Sequence, residues 1–307
     1  MKFVTNLYGG VSMLSKRKKY IVFLLCLVFS LLTVLPATAA VLSTVASGTT
    51  VYSNEKAKVD ASNAKDGYVM VAYNGQSKNR LKVRVTGPSG TVYTYDLNTN
   101  GNYEVFPLSD GNGKYTVGVY ENTSGNKYAL AFSTPVTVML TDSYAPFLRP
   151  NQYVNYSANS QAVKKAAELT AGKKTDLEKI TAIYNFTVTT LTYDKQKAQT
   201  VQSGYLPNID KILAEKKGIC FDYAALMTAM LRSQGIPTKL VVGYTGDVYH
   251  AWINTYIPEQ GWVEGVIFFD GTTWKLMDPT FASSANQSKQ IMEYIGNGSN
   301  YSAKYVY

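Results

Sequence analysis

The sequence predicts an α+β domain preceded by an all-β domain, and three patterns along the chain indicate this fold class. Apolar and polar residues alternate with period two from about residue 41 to residue 140. Helical spacing of apolar residues takes over after residue 160, and the period of two returns from Lys239 onward. Helices that precede the strands of one sheet are typical of an α+β arrangement. The chain has 307 residues, 46% of them hydrophobic, which is enough for two ordinary domains.

Residues 1–39 are predicted to be a secretory signal peptide. The basic run 16–19 precedes 15 apolar-rich residues at 21–35, and Ala37-Thr38-Ala39 forms a small-residue cleavage site. The apolar run is shorter than a spanning helix, although an uncleaved anchor is the alternative. Cleavage would remove five positive charges and Cys26, lowering the formal net charge from +9 to +4. We therefore expect a secreted or cell-surface protein without a disulfide, and its basic charge does not indicate a nucleic-acid partner.

Residues 41–140 are predicted to form an antiparallel β-sandwich. Short alternating segments such as 81–86 and 91–97 are separated by polar, glycine-rich turns. The stretch contains no histidine or cysteine, so a spacer or binding role is expected. Residues 141–159, with two prolines and several Asn and Ser, are predicted to be a linker.

Residues 160–307 are predicted to form the α+β domain. Helices are expected at 162–169, after the capping box that begins at Thr175, at 207–217, and from Gly218 until Gly235. Strands are then expected at 239–244, 249–257, 262–269 and 273–277.

Cys220 and His250 are the candidate nucleophile and base. Cys220 lies in the predicted first turn of a helix, where unpaired N–H groups and the helix dipole favour a thiolate. His250 is the only histidine of the chain and shares one face of a predicted strand with Trp252. A structural zinc site needs about four Cys or His ligands, so no metal site is predicted. A buried core cysteine and a structural histidine are the alternatives.

Asp278 is the candidate orienting acid. It follows the last predicted strand and precedes Pro279, where its carboxylate could accept the ring N–H of His250. A turn aspartate is the alternative. Asp270 is explained by a hairpin turn with the glycine after it. Asp222 is expected to be a surface residue of the first helical turn, where the dipole favours a negative charge.

Three stretches within residues 184–281 together resemble the transglutaminase-like superfamily. They are Gly218-Ile219-Cys220-Phe221-Asp222-Tyr223-Ala224, then His250-Ala251-Trp252, then Trp274 with Asp278-Pro279-Thr280. The resemblance implies a papain-like transglutaminase core with Cys220, His250 and Asp278 as a triad. It does not extend to the predicted sandwich, which merely resembles the accessory modules of secreted members. The superfamily contains cross-linking enzymes, peptidases, amidases and members thought to be inactive.

The chemistry implied by the resemblance is acyl transfer through a thioester on Cys220. The thiolate attacks an amide carbonyl, His250 protonates the leaving amine, and water or a primary amine then resolves the thioester. The backbone N–H of Cys220 and the side chain of Tyr193 are the candidate oxyanion donors. An ordinary structural aromatic is the alternative for Tyr193. Trp252 is a candidate substrate contact.

The predicted function is therefore a secreted, thiol-dependent hydrolase or acyltransferase acting on peptide, protein or cell-envelope amides. The alternative is a non-catalytic cell-surface binding or adhesion module that retains the same fold. No cofactor is expected, because the sequence has no calcium loop with the required acidic spacing.

Overall fold

The computed structural model describes residues 41–74, 77–258, 261–263, 267–269, 274–276 and 301–307. Along these residues the chain first forms strands, then a series of helices, then the strands of a further sheet. The described residues belong to one compact unit. The expectation of a mixed fold with antiparallel sheets is confirmed. Within the described part, no helix is both long and apolar enough to cross a membrane.

Two four-stranded antiparallel sheets make up the first part of the chain. The first has the order β1-β2-β3-β6 and the second the order β5-β4-β7-β8. Their strands are β1 Val51–Ser53, β2 Ala57–Asp60, β3 Tyr68–Tyr73, β4 Leu81–Thr86, β5 Val92–Leu97, β6 Glu104–Pro107, β7 Gly113–Ser124 and β8 Lys127–Val138.

The alternation in β4 is a representative example of how the sequence specifies these strands. Leu81, Val83 and Val85 are buried while Arg84 is exposed, so one face of the strand contributes to a hydrophobic core. The two separate strands expected near residues 128–132 and 136–140 instead form one strand, β8, which pairs with β7 along its length. The pairing register shifts between Val119 and Tyr120 of β7, so the residues of β8 on either side of this point can belong to one continuous strand.

Residues 141–159 are packed against the rest of the chain. They contain the short 3-10 helix Ala145–Leu148, and the side chains of Phe147, Val154 and Tyr156 are buried. The segment therefore contributes to the hydrophobic core, while the domain boundaries proposed from composition stay a prediction.

Five α-helices follow in the described residues. They are α1 Gln161–Thr170, α2 Asp176–Thr190, α3 Lys195–Thr200, α4 Ile209–Glu215 and α5 Cys220–Arg232. The capping box at the start of α2 is confirmed, because Oγ1 of Thr175 accepts from the N–H of Glu178 at 3.2 Å. Helix α3 was not predicted. It begins after Asp194, whose carboxylate accepts from the N–H of Lys197 at 2.9 Å.

Helix α5 lies at the centre of the second part of the chain. It packs against α1, α2, α4, β11 Thr238–Thr245 and β12 Val248–Ile257. Every residue from Asp222 to Arg232 is buried. The expected stop is present, since Gly235 adopts a left-handed backbone with φ of 79° before Pro237.

The sheet beside α5 has the order β13-β12-β11-β16 and is antiparallel throughout. Its outer strands are β13 Gly261–Val263 and β16 Tyr301–Val306. The expected strand at 262–269 is divided between β13 and β14 Ile267–Phe269, and β14 pairs with β15 Trp274–Leu276. The sequence did not indicate β16, which comes from the tyrosine-rich tail. The parallel pair β9 Thr192–Tyr193 and β10 Lys217–Gly218 completes the described strands.

Tyrosine rings join the sheet that contains β5 to the sheet that contains β16. The ring of Tyr93 lies 5.7 Å from that of Tyr305 and 5.6 Å from that of Tyr307. Tyr153 lies 4.4 Å from Tyr307 and 5.7 Å from Phe221, the residue after Cys220. Aromatic contacts therefore extend from β5 to the first turn of α5.

Candidate active site

Cys220 lies in the first turn of α5, as predicted, and is the first residue of that helix, which begins two residues later than expected. Its thiol is free and partly buried, and the side chain packs against the hydrophobic core. The N–H of a residue at this position has no acceptor inside its own helix, and the helix dipole is positive there. The position suits a nucleophile that must stabilise a negative charge.

The short strand β10 fixes the approach of the chain to Cys220. Gly218 lies opposite Tyr193 in the parallel pair of β10 with β9, and the N–H of Asp194 donates to the carbonyl of Gly218 at 2.8 Å. Tyr193 is partly buried and is thereby placed beside the residue two positions before the nucleophile. Its role as an oxyanion donor stays a prediction.

His250 and Trp252 lie on β12, as expected, and both are buried. Their rings are stacked at 6.5 Å with an interplanar angle of 22°, and Trp252 contacts Tyr301 of β16 at 5.1 Å. His250 is paired with Gly243 of β11. A Cβ atom on Gly243 would collide with the backbone of Ser302, so this position requires glycine.

Helix α5 packs directly on β12, which brings the element of Cys220 against the element of His250. Burial raises the pKa of Tyr249, and charges on Tyr305, Tyr244 and Cys220 act in the same direction.

Asp278, the candidate orienting acid, lies outside the described residues. The described strand before it, β15, ends at Leu276 and pairs with β14. The triad of Cys220, His250 and Asp278 therefore stays a prediction.

The expectation that Asp222 is a surface residue was wrong, since its side chain is completely buried. Oδ2 accepts from Nζ of Lys197 at 2.6 Å and from the N–H of Ile219 at 2.9 Å. Oδ1 accepts from the hydroxyl of Tyr205 at 2.6 Å, and Nζ of Lys197 also donates to that hydroxyl at 2.7 Å. These three side chains, named here the Asp222 network, account for a buried carboxylate in the first turn of α5.

Two further observations show how closely the Asp222 network is fitted. A Cβ atom on Gly218 would lie 2.6 Å from Cβ of Asp222, so no larger residue fits there without displacement. Burial raises the pKa of Tyr205 and the hydrogen bond to Asp222 raises it further, so the phenol stays a protonated donor. The sequence places Lys197 and Tyr205 far from Asp222 along the chain, and no spacing rule connects them.

A polar cleft of about 290 Å³ lies between the segment around Asn155 and the start of α4, and contains none of the predicted site residues. Its lining residues are Asn155, Tyr156, Ser157, Ser160, Pro207, Asn208, Ile209 and Asp210. In the part of the chain that the structure describes, no group of three His, Cys, Asp or Glu side chains is placed to hold a metal ion.

Comparison with known proteins finds a family match within the second part of the chain. Residues 163–265 match the family model of the transglutaminase-like superfamily, a range that includes Cys220 and His250. The chain is 26% identical over 197 residues to the uncharacterized protein YebA of Bacillus subtilis. It is 29% identical over 98 residues to a protein-glutamine gamma-glutamyltransferase of Pseudomonas aeruginosa.

These matches cover limited parts of the relatives. The match to YebA spans 54% of this chain and 26% of YebA, and the second spans 27% of this chain and 13% of the transferase. Among solved structures, a candidate cysteine protease of Cytophaga hutchinsonii aligns with a TM-score of 0.39 and 15% identity. That alignment covers 84% of this chain and 73% of the other.

Proposed function

We propose that this chain, which carries a transglutaminase-like superfamily domain at residues 163–265, is a thiol-dependent acyl-transfer enzyme acting on peptide or protein amides. The observation that carries the proposal is the position of Cys220 within that domain. Its thiol is free and partly buried at the first position of a helix that packs on the strand of His250.

Each residue has a defined part in the proposed reaction. The thiolate of Cys220 attacks the amide carbonyl and forms a tetrahedral oxyanion, which the N–H of Cys220 and the hydroxyl of Tyr193 stabilise. Protonated His250 gives its proton to the leaving amine, and Asp278 orients the imidazole. The resulting thioester is resolved by water, which yields a carboxylic acid, or by a primary amine, which yields a new amide.

The remaining features of the proposal concern location and architecture. Residues 1–39 act as a cleaved export signal, the protein is secreted or held at the cell surface, and its substrates are peptide, protein or cell-envelope amides. The sheets of residues 41–140 are a β-sandwich accessory domain, joined by residues 141–159 to a papain-like domain of residues 160–307. Mass measurement of the secreted protein tests the first point, because cleavage leaves a chain beginning at residue 40 or 41.

A single incubation tests the activity. The full chain is incubated with a glutamine-containing peptide and a small primary amine, and the products are resolved by mass spectrometry. An amine adduct indicates transamidation, conversion of Gln to Glu indicates side-chain hydrolysis, and shortened peptides indicate a peptidase. We expect one of these products, no product from Cys220→Ala, and a loss on the order of 1,000-fold or more from His250→Ala.

Val248→Ala is the matched control for the His250 variant. Val248 lies two residues earlier on β12 and is 61% exposed, so its truncation should leave activity unchanged. Product formed by Cys220→Ala would contradict the proposal. No product from a folded wild-type chain, with several Gln and backbone-amide substrates, would favour the binding or adhesion module instead.

A further inference from the structure

We propose that the Asp222 network consists of positioning residues for Cys220: it fixes the helical turn that carries the nucleophile and keeps that turn electrically neutral. The inference rests on the proposed function, because it assigns the network to the same thiol. It adds Asp222, Lys197 and Tyr205 to the residues on which the reaction depends. These three residues act through Cys220 and not by contacting the substrate.

The positioning argument follows from which groups Asp222 holds. Its carboxylate accepts the N–H of Ile219, the residue immediately before Cys220, while Asp222 itself lies two residues after the nucleophile. The backbone on both sides of Cys220 is thus tied to one buried carboxylate. Charge-assisted hydrogen bonds of this kind are short and strong. Displacement of a reacting group by about 1 Å can cost on the order of 100-fold in rate.

Lys197 is itself held in place by the strand that leads to the nucleophile. The carboxylate of Asp194 caps α3 through the N–H of Lys197 at 2.9 Å, and the N–H of Asp194 donates to Gly218 at 2.8 Å. Helix α3 is therefore attached to β10, and its lysine reaches Asp222 from this anchored position. The hydrogen bonds of Asp194 therefore position both the Lys197–Asp222 ion pair and the backbone that leads to Cys220.

The electrostatic argument concerns the charge of Asp222. A buried carboxylate near a thiol disfavours the thiolate, because two like charges would share a poorly solvated site. Nζ of Lys197 supplies the opposite charge at 2.6 Å from Asp222. The pair leaves the helix dipole free to favour the thiolate of Cys220.

The other titratable groups near this turn do not replace Lys197. Tyr249 on β12 is a protonated phenol at neutral pH, since its pKa is raised. His250 on the same strand is the proposed proton partner of the thiol. Lys217 on β10 is paired with Asp194 at 3.2 Å. Lys197 is therefore the cation that balances Asp222.

The test measures the apparent pKa of Cys220 in the full chain. Iodoacetamide labelling rates are followed between pH 5 and pH 10 by mass spectrometry of the peptide that contains Cys220, so Cys26 does not interfere. Lys197→Met leaves the negative charge of Asp222 unbalanced, and we expect labelling at pH 6 to slow roughly tenfold, a rise of about one pKa unit. Asp222→Asn leaves the positive charge unbalanced and should shift the apparent pKa in the opposite direction.

Two controls separate this role from a contribution to stability alone. Lys197→Arg should behave like the wild type, and the double variant Lys197→Met/Asp222→Asn should return the apparent pKa toward the wild-type value. Thermal unfolding identifies variants that do not fold. If Lys197→Met fails to fold, Tyr205→Phe serves instead, since it removes one donor to Asp222 and should slow labelling at pH 6 several-fold.

The outcomes distinguish this inference from the proposed function. Folded variants that lose thermal stability but keep the wild-type pKa of Cys220 would overturn the positioning role and leave the enzyme proposal intact. A wild-type thiol that titrates like a free cysteine, near about 8.5, would count against the enzyme proposal. Shifts of opposite sign in the two single variants would support the network even then.

Discussion

Arg232, the last residue of α5, provides a quantitative test of how the parts of the fold are joined. The residue is 2% exposed, and its guanidinium donates to three backbone carbonyls. Nε donates to Thr238 at 2.8 Å, Nη1 to Arg149 at 2.7 Å, and Nη2 to Tyr307 at 2.7 Å. Burial lowers the pKa of Arg232 to about 10, which still leaves it charged at neutral pH.

The loss of stability expected for Arg232→Met follows from the backbone carbonyls that lose their hydrogen-bond donor. Three hydrogen bonds from a charged donor contribute about 1.5–3 kcal/mol each, while burying the charge offsets several kcal/mol of that gain. Methionine removes both the bonds and the charge, and leaves buried carbonyls without a donor at about 1–3 kcal/mol each. The carbonyl of Tyr307 loses least, because the N–H of Leu240 also donates to it at 2.9 Å. We expect a net destabilisation of about 3–5 kcal/mol.

Urea and thermal denaturation at pH 7 measure this loss. For a chain of this size, Tm falls by about 2–4 °C for each kcal/mol of destabilisation, so we expect a fall in Tm of roughly 6–20 °C. Arg84→Met on β4 is the control, because Arg84 is exposed and its loss should change stability by about 0.5 kcal/mol or less. An Arg232→Met protein within about 1 kcal/mol of wild type would refute the assigned role of the three carbonyl bonds.

Three further substitutions test other parts of the structure. Gly243→Ala should weaken the pairing of β11 with β16 and lower stability by at least about 2 kcal/mol, because its Cβ collides with the backbone of Ser302; an unchanged urea midpoint would contradict this packing. Hydrogen bonds, the largest from Asn79, hold the pKa of Glu121 below its ordinary value of 4.5, so Glu121→Gln should cost about 1 kcal/mol at pH 7. The pKa of Glu121 is lower in the folded chain than in the unfolded chain, so the stability difference between wild type and Glu121→Gln should disappear as the pH falls below 4.5. An equal stability difference at pH 3 and pH 7 would contradict this role of the carboxylate. Tyr193→Phe keeps the ring and removes the hydroxyl, so product formation should slow on the order of 100-fold; a rate equal to wild type would make Tyr193 a structural aromatic.

Local sequence patterns predicted the elements that carry the candidate site. Helical spacing placed Cys220 in the first turn of α5, the Gly235 stop placed the end of that helix, and strand alternation placed His250 and Trp252 on one strand. These predictions succeeded because each depends on neighbouring residues and on the burial of one face. Asp278 lies outside the described residues, so its role is a prediction from sequence alone.

Contacts between distant segments were not predictable in the same way. The sequence around Asp222 is that of a surface aspartate in the first turn of a helix. Its burial depends on Lys197 and Tyr205, which belong to α3 and the loop after it. Strand β16 likewise depends on pairing with β11, more than fifty residues earlier. Short-range periodicity contains no information about such partners.

The central claim is that Cys220 is an acylating nucleophile, and trapping the covalent intermediate tests it most directly. The chain is mixed with an activated glutamine-type ester or amide, quenched in acid within seconds, and digested for mass spectrometry. We predict an acyl adduct on the peptide containing Cys220 that disappears on treatment with hydroxylamine, as a thioester should, and that is absent from Cys220→Ala. A folded chain that forms no adduct on Cys220 while still converting substrate would contradict the account.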